Sequence, residues 1–215
     1  TSDDAGGFFA FPRGARAGTC LHRVFELIDF GAADLTTRRQ TVRQVLGEHG
    51  FDDEWTRVVD QMLDKVLHSP LNDGGLHLGT VSHTDRVDEM AFCYPVDALD
   101  VMHWREVMLR HQAKLHPALR AGLDRGHFEP LAGFMHGFID LVFQAGGQYY
   151  LVDYKSNYLG GNLRAYDAVA VNTTMHRSHY TLQYLIYTLA LHRWLRTRIP
   201  DYSYEHHFGG AYYLF

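Results

Sequence analysis

The stretch Gly133-Phe134-Met135-His136-Gly137-Phe138-Ile139-Asp140-Leu141-Val142-Phe143-Gln144-Ala145-Gly146-Gly147-Gln148-Tyr149-Tyr150-Leu151-Val152-Asp153-Tyr154-Lys155 holds two runs rich in aromatic and branched residues. Residues 133–143 and 148–155 read as strands, and Ala145-Gly146-Gly147 between them is a hairpin signal. With a two- or four-residue turn centred on the glycines, Asp140 and Asp153 face each other, Cβ atoms about 4.5–5.5 Å apart. At an effective dielectric near 20, two carboxylates about 4 Å apart repel by about 4 kcal/mol. Such a pair requires a raised pKa, a cation or solvent exposure, and a divalent metal gives the strongest relief. Alternation puts Tyr149, Leu151, Asp153 and Lys155 on one face of the second strand and Tyr150, Val152 and Tyr154 on the other. Two acids with a lysine two residues beyond the second are the minimum for metal-dependent phosphodiester hydrolysis: the acids hold an ion, and the lysine orients water or meets developing charge. On spacing alone, an exposed strand with an ordinary Asp–Lys pair is an equally good reading.

Outward from the hairpin, residues 156–162 form a polar, glycine-containing loop, followed by a helical segment from about Ala165 and a strong helix over 179–196. Pro200 ends it, and residues 210–215 read as a strand returning to the sheet. Upstream, residues 1–18 read as a glycine-rich arm around Phe8, Phe9 and Phe11. A helix over 19–29 is capped by Thr19, and further helices cover 36–49 and 53–67. Residues 85–94 suit a strand and 99–119 a helix. The domain scheme is thus one unit over 1–215, with an arm (1–18), a mainly helical part (19–120) and a sheet-bearing part with helices (130–215). The expected class is α/β, a mixed sheet flanked by helices behind a helical N-terminal portion.

The 215 residues are 46% hydrophobic and 21% charged, an ordinary globular composition. No apolar run approaches the roughly 18–20 residues of a membrane span, and no secretory pattern opens the chain. Cys20 and Cys93 are too few for a disulfide framework or a four-cysteine cluster, which favours a reducing compartment. The net charge of −5 argues against global electrostatic binding of nucleic acid, but it is unevenly spread. Residues 48–100 hold twelve acids and three bases, whereas 155–198 hold six bases and one acid. A polyanion is expected at the second stretch. The chain starts at Thr1 and stops within an apolar run, and is expected to be a piece of a longer polypeptide.

Two helices carry polar flanks. In the first, Leu21, Val24, Phe25 and Ile28 form the apolar stripe, and His22 borders it beside Glu26 and Asp29. From there an imidazole can lean over the sheet toward a metal, although a histidine packed at a core edge is the commoner case. In the late helix Gln183 and Tyr187, four apart, face the same way and are within reach of a phosphate. Arg193, Arg196 and Arg198 near its end also suit the helix dipole.

Gly18-Thr19-x-x-His22-x-x-x-Glu26, Gly137-Phe138-Ile139-Asp140, Leu151-Val152-Asp153-Tyr154-Lys155-Ser156-Asn157 and Gln183-x-x-x-Tyr187 stand in this order, followed by Tyr204-Glu205-His206-His207-Phe208-Gly209-Gly210. The set resembles the RecB nuclease domain, the C-terminal part of the large subunit of the RecBCD helicase-nuclease (exodeoxyribonuclease V), in the restriction-endonuclease-like PD-(D/E)XK superfamily. The resemblance implies metal ligation by His22, Asp140, Asp153 and the Tyr154 main-chain carbonyl, with Lys155 as catalytic lysine. Gln183 and Tyr187 match the signature helix beside the site. Glu89 matches an earlier acidic motif, with Asp88 as its competitor for that place. The implied cofactor is Mg²⁺, with Mn²⁺ as a substitute and Ca²⁺ as an inhibitor, and no iron-sulfur cluster. The implied partners are single DNA strands from unwound duplex, the helicase domains of the same full-length chain, and RecC- and RecD-type subunits. The implied setting is double-strand break repair in the bacterial cytoplasm. Two rival readings remain: a catalytically inactive nuclease fold that binds DNA ends or a partner, and a zinc site involving His206 and His207.

Overall fold

The computed structural model describes residues 7–31, 34–99, 101–111 and 131–215. Three helices come first, α1 (Ala15–Leu27), α2 (Leu35–Glu48) and α3 (Trp55–His68), followed by β1 (Arg86–Leu99) and α4 (Val101–Arg110). The hairpin strands are β2 (Leu131–Ala145) and β3 (Gln148–Tyr154). After them come α5 (Ala168–Arg177), α6 (Tyr180–Arg196), the single turn α7 (Tyr204–His207) and β4 (Phe208–Leu214). The strands lie in chain order in one sheet, antiparallel from β1 to β3 and parallel between β3 and β4. The α/β class and the hairpin are as the sequence implies. The turn has two residues, because the last pair is Ala145 with Gln148. Gly146 and Gly147 both adopt positive φ (58° and 80°), the requirement of the tight turn whose twist matches the strands.

The sheet is sandwiched. On one face Leu21, Val24 and Phe25 of α1, with Val45, Leu46, Val59 and Leu63 of α2 and α3, pack against Leu141, Phe143, Val152 and Tyr154. On the other, Ala190, Leu191 and Leu195 of α6 cover Met90, Ile139, Val142 and Leu151. β3 is therefore buried on both sides, which is why Leu151-Val152 shows no apolar/polar alternation. Between α2 and α3, Arg38 and Arg39 each place Nε 2.7 Å from a different oxygen of buried Asp60, satisfying both lone-pair sides of one carboxylate.

Helix α1 begins four residues before the expected Thr19 cap. Gly14, at φ 102°, turns the chain into Ala15-Arg16-Ala17, all strong helix formers. Thr19 sits inside the helix with its hydroxyl donating to the Ala15 carbonyl at 3.0 Å, so the expected arm over 1–18 ends at residue 14. Asp34 caps α2 by accepting the Thr36 N–H at 2.8 Å. The helix expected over 99–119 is α4 as far as Arg110, and its remainder from 112 lies outside the described residues.

Alternation fails at one place in β1 and β2. Ile139 and Leu141, two residues apart, pack into opposite cores. The register passes from Asp88↔Leu141 to Met90↔Ile139 around Glu89, whose φ is 49°. A non-glycine residue in this region marks local strain, and here it lets both strands turn over between the two layers. A second irregularity lies in β4, where the register shifts between Tyr149↔Phe208 and Tyr150↔Gly210 and leaves Gly209 as the extra residue. A Cβ on Gly209 would stand 2.3 Å from the Tyr150 ring. Gly209→Ala is expected to destabilise the protein by about 1–3 kcal/mol, the usual result of overpacking, read as a lowered urea midpoint with unchanged slope.

Candidate active site

The two cores hold rigid the end of the sheet where the polar residues gather. The β2–β3 pairing stops at Leu141↔Val152, one position short of Asp140 and Asp153. Beyond it Asp140 Oδ2 accepts the Tyr154 N–H at 2.8 Å. Helix α1 comes close to the chain leaving β3, since a Cβ on Gly18 would stand 2.7 Å from Ser156 Oγ. One turn further on, His22 Nε2 donates to the Tyr154 carbonyl at 2.9 Å, and Phe25 stacks on the Tyr154 ring with centroids 4.1 Å apart. With its Nε2 proton committed, a neutral His22 presents the Nδ1 lone pair, 3.5 Å from Asp140 Oδ2. Glu89 completes the group: one ligand atom from each of His22, Glu89 and Asp140 lies within 4.8 Å of the others. Acceptor atoms converging in this way repel one another unless a proton or a cation lies between them.

Asp88 goes elsewhere. Its Oδ2 meets Arg86 Nε at 3.1 Å, and Arg86 Nη2 donates to the Ile28 carbonyl at 2.7 Å. Between the two candidates for the earlier acidic position, the kink therefore delivers Glu89 to the cluster. Burial, and then the Asp140 charge, raise the Glu89 pKa above the usual carboxylate value.

Asp153 is 1% exposed, with Lys155 Nζ against its Oδ2. Burial first, and then Asp140, push its pKa up to about 6, while Lys155 and His22 pull it down. Lys155 Nζ also donates to Gln183 Oε1 at 2.9 Å, and Gln183 Nε2 donates to the Tyr187 hydroxyl at 2.8 Å. Both ends of the Gln183 amide are thus in use. The sequence places this pair within reach of a phosphate; in the structure it faces Lys155. Burial raises the Tyr187 pKa to about 12, so the hydroxyl keeps its proton.

His22, Glu89, Asp140, Asp153, Tyr154, Lys155, Gln183 and Tyr187 are therefore brought together, while other readings part from the geometry. The basic stretch 155–198 is not one patch. Arg193 and Arg196 lie ten and thirteen residues along α6 from Gln183, or about 15–20 Å at 1.5 Å per residue. Arg193 stacks over Tyr94 and Arg198 over Trp194. His206 and His207 both turn to Ser203, and among the described residues His22, Glu89 and Asp140 make up the sole group of three with metal-ligand spacing. Sequence reasoning missed Tyr180 and Tyr213, whose rings lie 3.9 and 5.4 Å from Lys155 Nζ. The available signal was helix spacing, since Tyr180, Gln183 and Tyr187 fall on one stripe.

Fold and site together define a mixed α/β domain whose sheet end gathers a histidine, three carboxylates and a buried lysine. The chain is similar to the RecBCD enzyme subunit RecB of Escherichia coli K12, with 42% identity over 205 residues, covering 95% of this chain and 17% of that protein. The RecB subunit of Haemophilus influenzae is 40% identical over a like span, and that of Mycobacterium tuberculosis 32% identical over 228 residues. The chain spans about a sixth to a fifth of the length of these relatives. The match is thus to one segment of RecB, consistent with its C-terminal nuclease domain. No family model matches the sequence. Among the described residues, no helix is long and apolar enough to cross a membrane.

The Asp153 environment yields a signed pH prediction. With a folded pKa near 6 against the ordinary aspartate value of 3.8, the folded metal-free protein holds, between those pH values, a proton that the unfolded chain has released. The favourable contribution is fully present below about pH 4 and is lost as pH rises through 6. The unfolding free energy of the parent minus that of Asp153→Asn should fall by on the order of 3 kcal/mol between pH 4 and 7. A flat difference would show that the carboxyl titrates normally.

Proposed function

We propose that this chain is the Mg²⁺-dependent nuclease part of a RecBCD-type helicase-nuclease. On this reading it hydrolyses phosphodiester bonds in DNA strands that a motor feeds to it during double-strand break processing and recombination. The observation that carries the reading is the acceptor cluster of His22, Glu89 and Asp140 beside the buried Asp153–Lys155 pair. Its similarity to RecB along 95% of its length supports the same reading.

The donor set suits a hard divalent cation: carboxylate oxygens, one imidazole nitrogen and the Tyr154 carbonyl, with no thiolate among the groups that meet there. His22, Asp140, Asp153 and the Tyr154 carbonyl would hold the ion, with Glu89 supporting it. When bound, Mg²⁺ supplies Lewis acidity toward a phosphate oxygen and acidifies water. The chain's own groups do the rest. Asp153 must be ionised, which favours activity above about pH 6 before any ion lowers its pKa. The Asp140 carboxylate holds the Asp153–Tyr154 peptide through the Tyr154 N–H, and His22 holds the following peptide through the Tyr154 carbonyl, so the two side chains grip successive peptide groups at the end of β3. Lys155 presents an ammonium held by Gln183, positioned to meet the negative charge that builds on the phosphoryl oxygens. The proposed partners are single-stranded DNA, the helicase domains of the full-length chain and RecC- and RecD-type subunits, in the bacterial cytoplasm.

Cleavage of linear single-stranded DNA by the full-length protein with Mg²⁺, Mn²⁺, Ca²⁺ or EDTA tests this. The parent should cleave with Mg²⁺ and Mn²⁺ and fail with Ca²⁺ or EDTA. Asp153→Ala should abolish cleavage, and Lys155→Ala should lower it by about 10²–10³. DNA binding without cleavage under every metal would favour the inactive binding fold. Independently of cleavage, Mg²⁺ should raise the melting temperature of the parent and leave that of Asp140→Asn unmoved.

A further inference from the structure

We propose that Tyr180 is a positioning residue for Lys155, its ring holding the ammonium at the site through a cation–π contact. The inference rests on Lys155 acting in the proposed hydrolysis. Tyr180 opens α6 directly after His179, which sits at φ 56° outside the helix. The left-handed residue swings the first turn so that Tyr180 and Gln183, three apart, share the stripe that faces the end of β3. Lys155 Nζ lies 3.9 Å from the Tyr180 ring centroid, within the range for a cation–π contact. Tyr213 of β4 stands further off at 5.4 Å, and its hydroxyl is 3.4 Å from the Gln183 oxygen that Lys155 also uses. The Tyr180 ring is itself braced at its far end, where the hydroxyl donates to Asn157 Oδ1 at 2.9 Å.

An ammonium has three protons. Asp153 and Gln183 each account for one, and the Tyr180 ring offers the ammonium a negative π face without a lone pair. A third oxygen acceptor there would fix Lys155 in a closed set of hydrogen bonds. A ring attracts the charge without a directional bond, so one N–H stays available for a phosphoryl oxygen or a water. The Asp153 carboxylate on the other side would otherwise draw the flexible chain toward itself alone. Gln183 and Tyr180 pull from the α6 side and keep the ammonium between Asp153 and the helix.

The test separates the ring from the hydroxyl, using the full-length protein. Tyr180→Leu should lower kcat for single-stranded DNA by about tenfold with KM unchanged. Tyr180→Phe keeps the ring and loses only the Asn157 bond, so it should stay within about twofold of the parent. A second readout needs no cleavage: competitive acetylation of Lys155, followed by mass spectrometry of its peptide. The caged amine should label slowly in the parent and in Tyr180→Phe, and about tenfold faster in Tyr180→Leu. The proposal is overturned if Leu labels like the parent, or if Phe behaves like Leu, which would give the role to the Asn157 bond. Absence of cleavage in the parent would instead sink the nuclease reading while the labelling still decides whether the ring cages Lys155.

Discussion

Like charges gathered at the end of a buried hairpin are the constraint on which the rest of this structure depends. Asp140 and Asp153 follow the last pair of the β2–β3 ladder, and Glu89 arrives beside Asp140 from β1. Left to themselves the three carboxylates would spread apart, since each pair at contact distance repels by an amount comparable to a good part of a domain's net stability. They stay because the strands behind them are clamped between two apolar layers, α1 to α3 on one face and α6 on the other. Stability built along the hydrophobic length of the sheet is thus partly consumed at its polar end. Burial first, and the nearby Asp140 charge second, account for the upward pKa shifts of Asp153 and Glu89.

The backbone adapts to the same end. The reversal of facing at Glu89 and Asp140 lets β2 serve the α6 core through Ile139 and the α1–α3 core through Leu141, while Met90 of β1 joins the α6 core beside Ile139. A regular ladder would keep Leu141 and Ile139 in one layer. The positive φ of Glu89 therefore joins the fold to the site: the residue that absorbs the strain also supplies a carboxylate to the cluster. The early start of α1 has a similar logic. Gly14 starts the helix, and Gly18 lets it lie close against the chain leaving β3, which sets His22 over the Tyr154 carbonyl.

What was legible in the sequence followed from local chemistry. Two glycines between β-rich runs specify the turn, and the turn specifies which aspartates stand together. The apolar period of residues 19–29 locates the α1 stripe and puts His22 at its edge. Less legible were features whose cause lies elsewhere in the chain. Ala15-Arg16-Ala17 has no apolar period, so the first turn of α1 is set by propensity and by packing against a distant loop. Nothing adjacent to Glu89 marks it for positive φ, because the cause is the demand of two opposed cores. The direction of Gln183 could be read from its helix, but its partner could not, since Lys155 is remote in sequence. Tyr180 shares that helix stripe, but nothing local distinguishes it from an aromatic that packs at a helix start.

On the proposed reading the charges of the site divide in a way that explains why Lys155 has uncharged neighbours. Lys155 places a full positive charge directly against Asp153. A divalent cation among His22, Asp140, Asp153 and the Tyr154 carbonyl would take over that neutralising role and weaken the hold of Asp153 on the ammonium. A lysine held by Asp153 alone would then be released toward solvent, because its flexible stem costs entropy to keep ordered. Contacts that do not compete for the metal, the Gln183 oxygen and the aromatic faces of α6 and β4, keep the ammonium in place as its ionic partner is shared. Lys155 would then stay at the site and be available to an incoming phosphate, held there by Gln183 and the two rings.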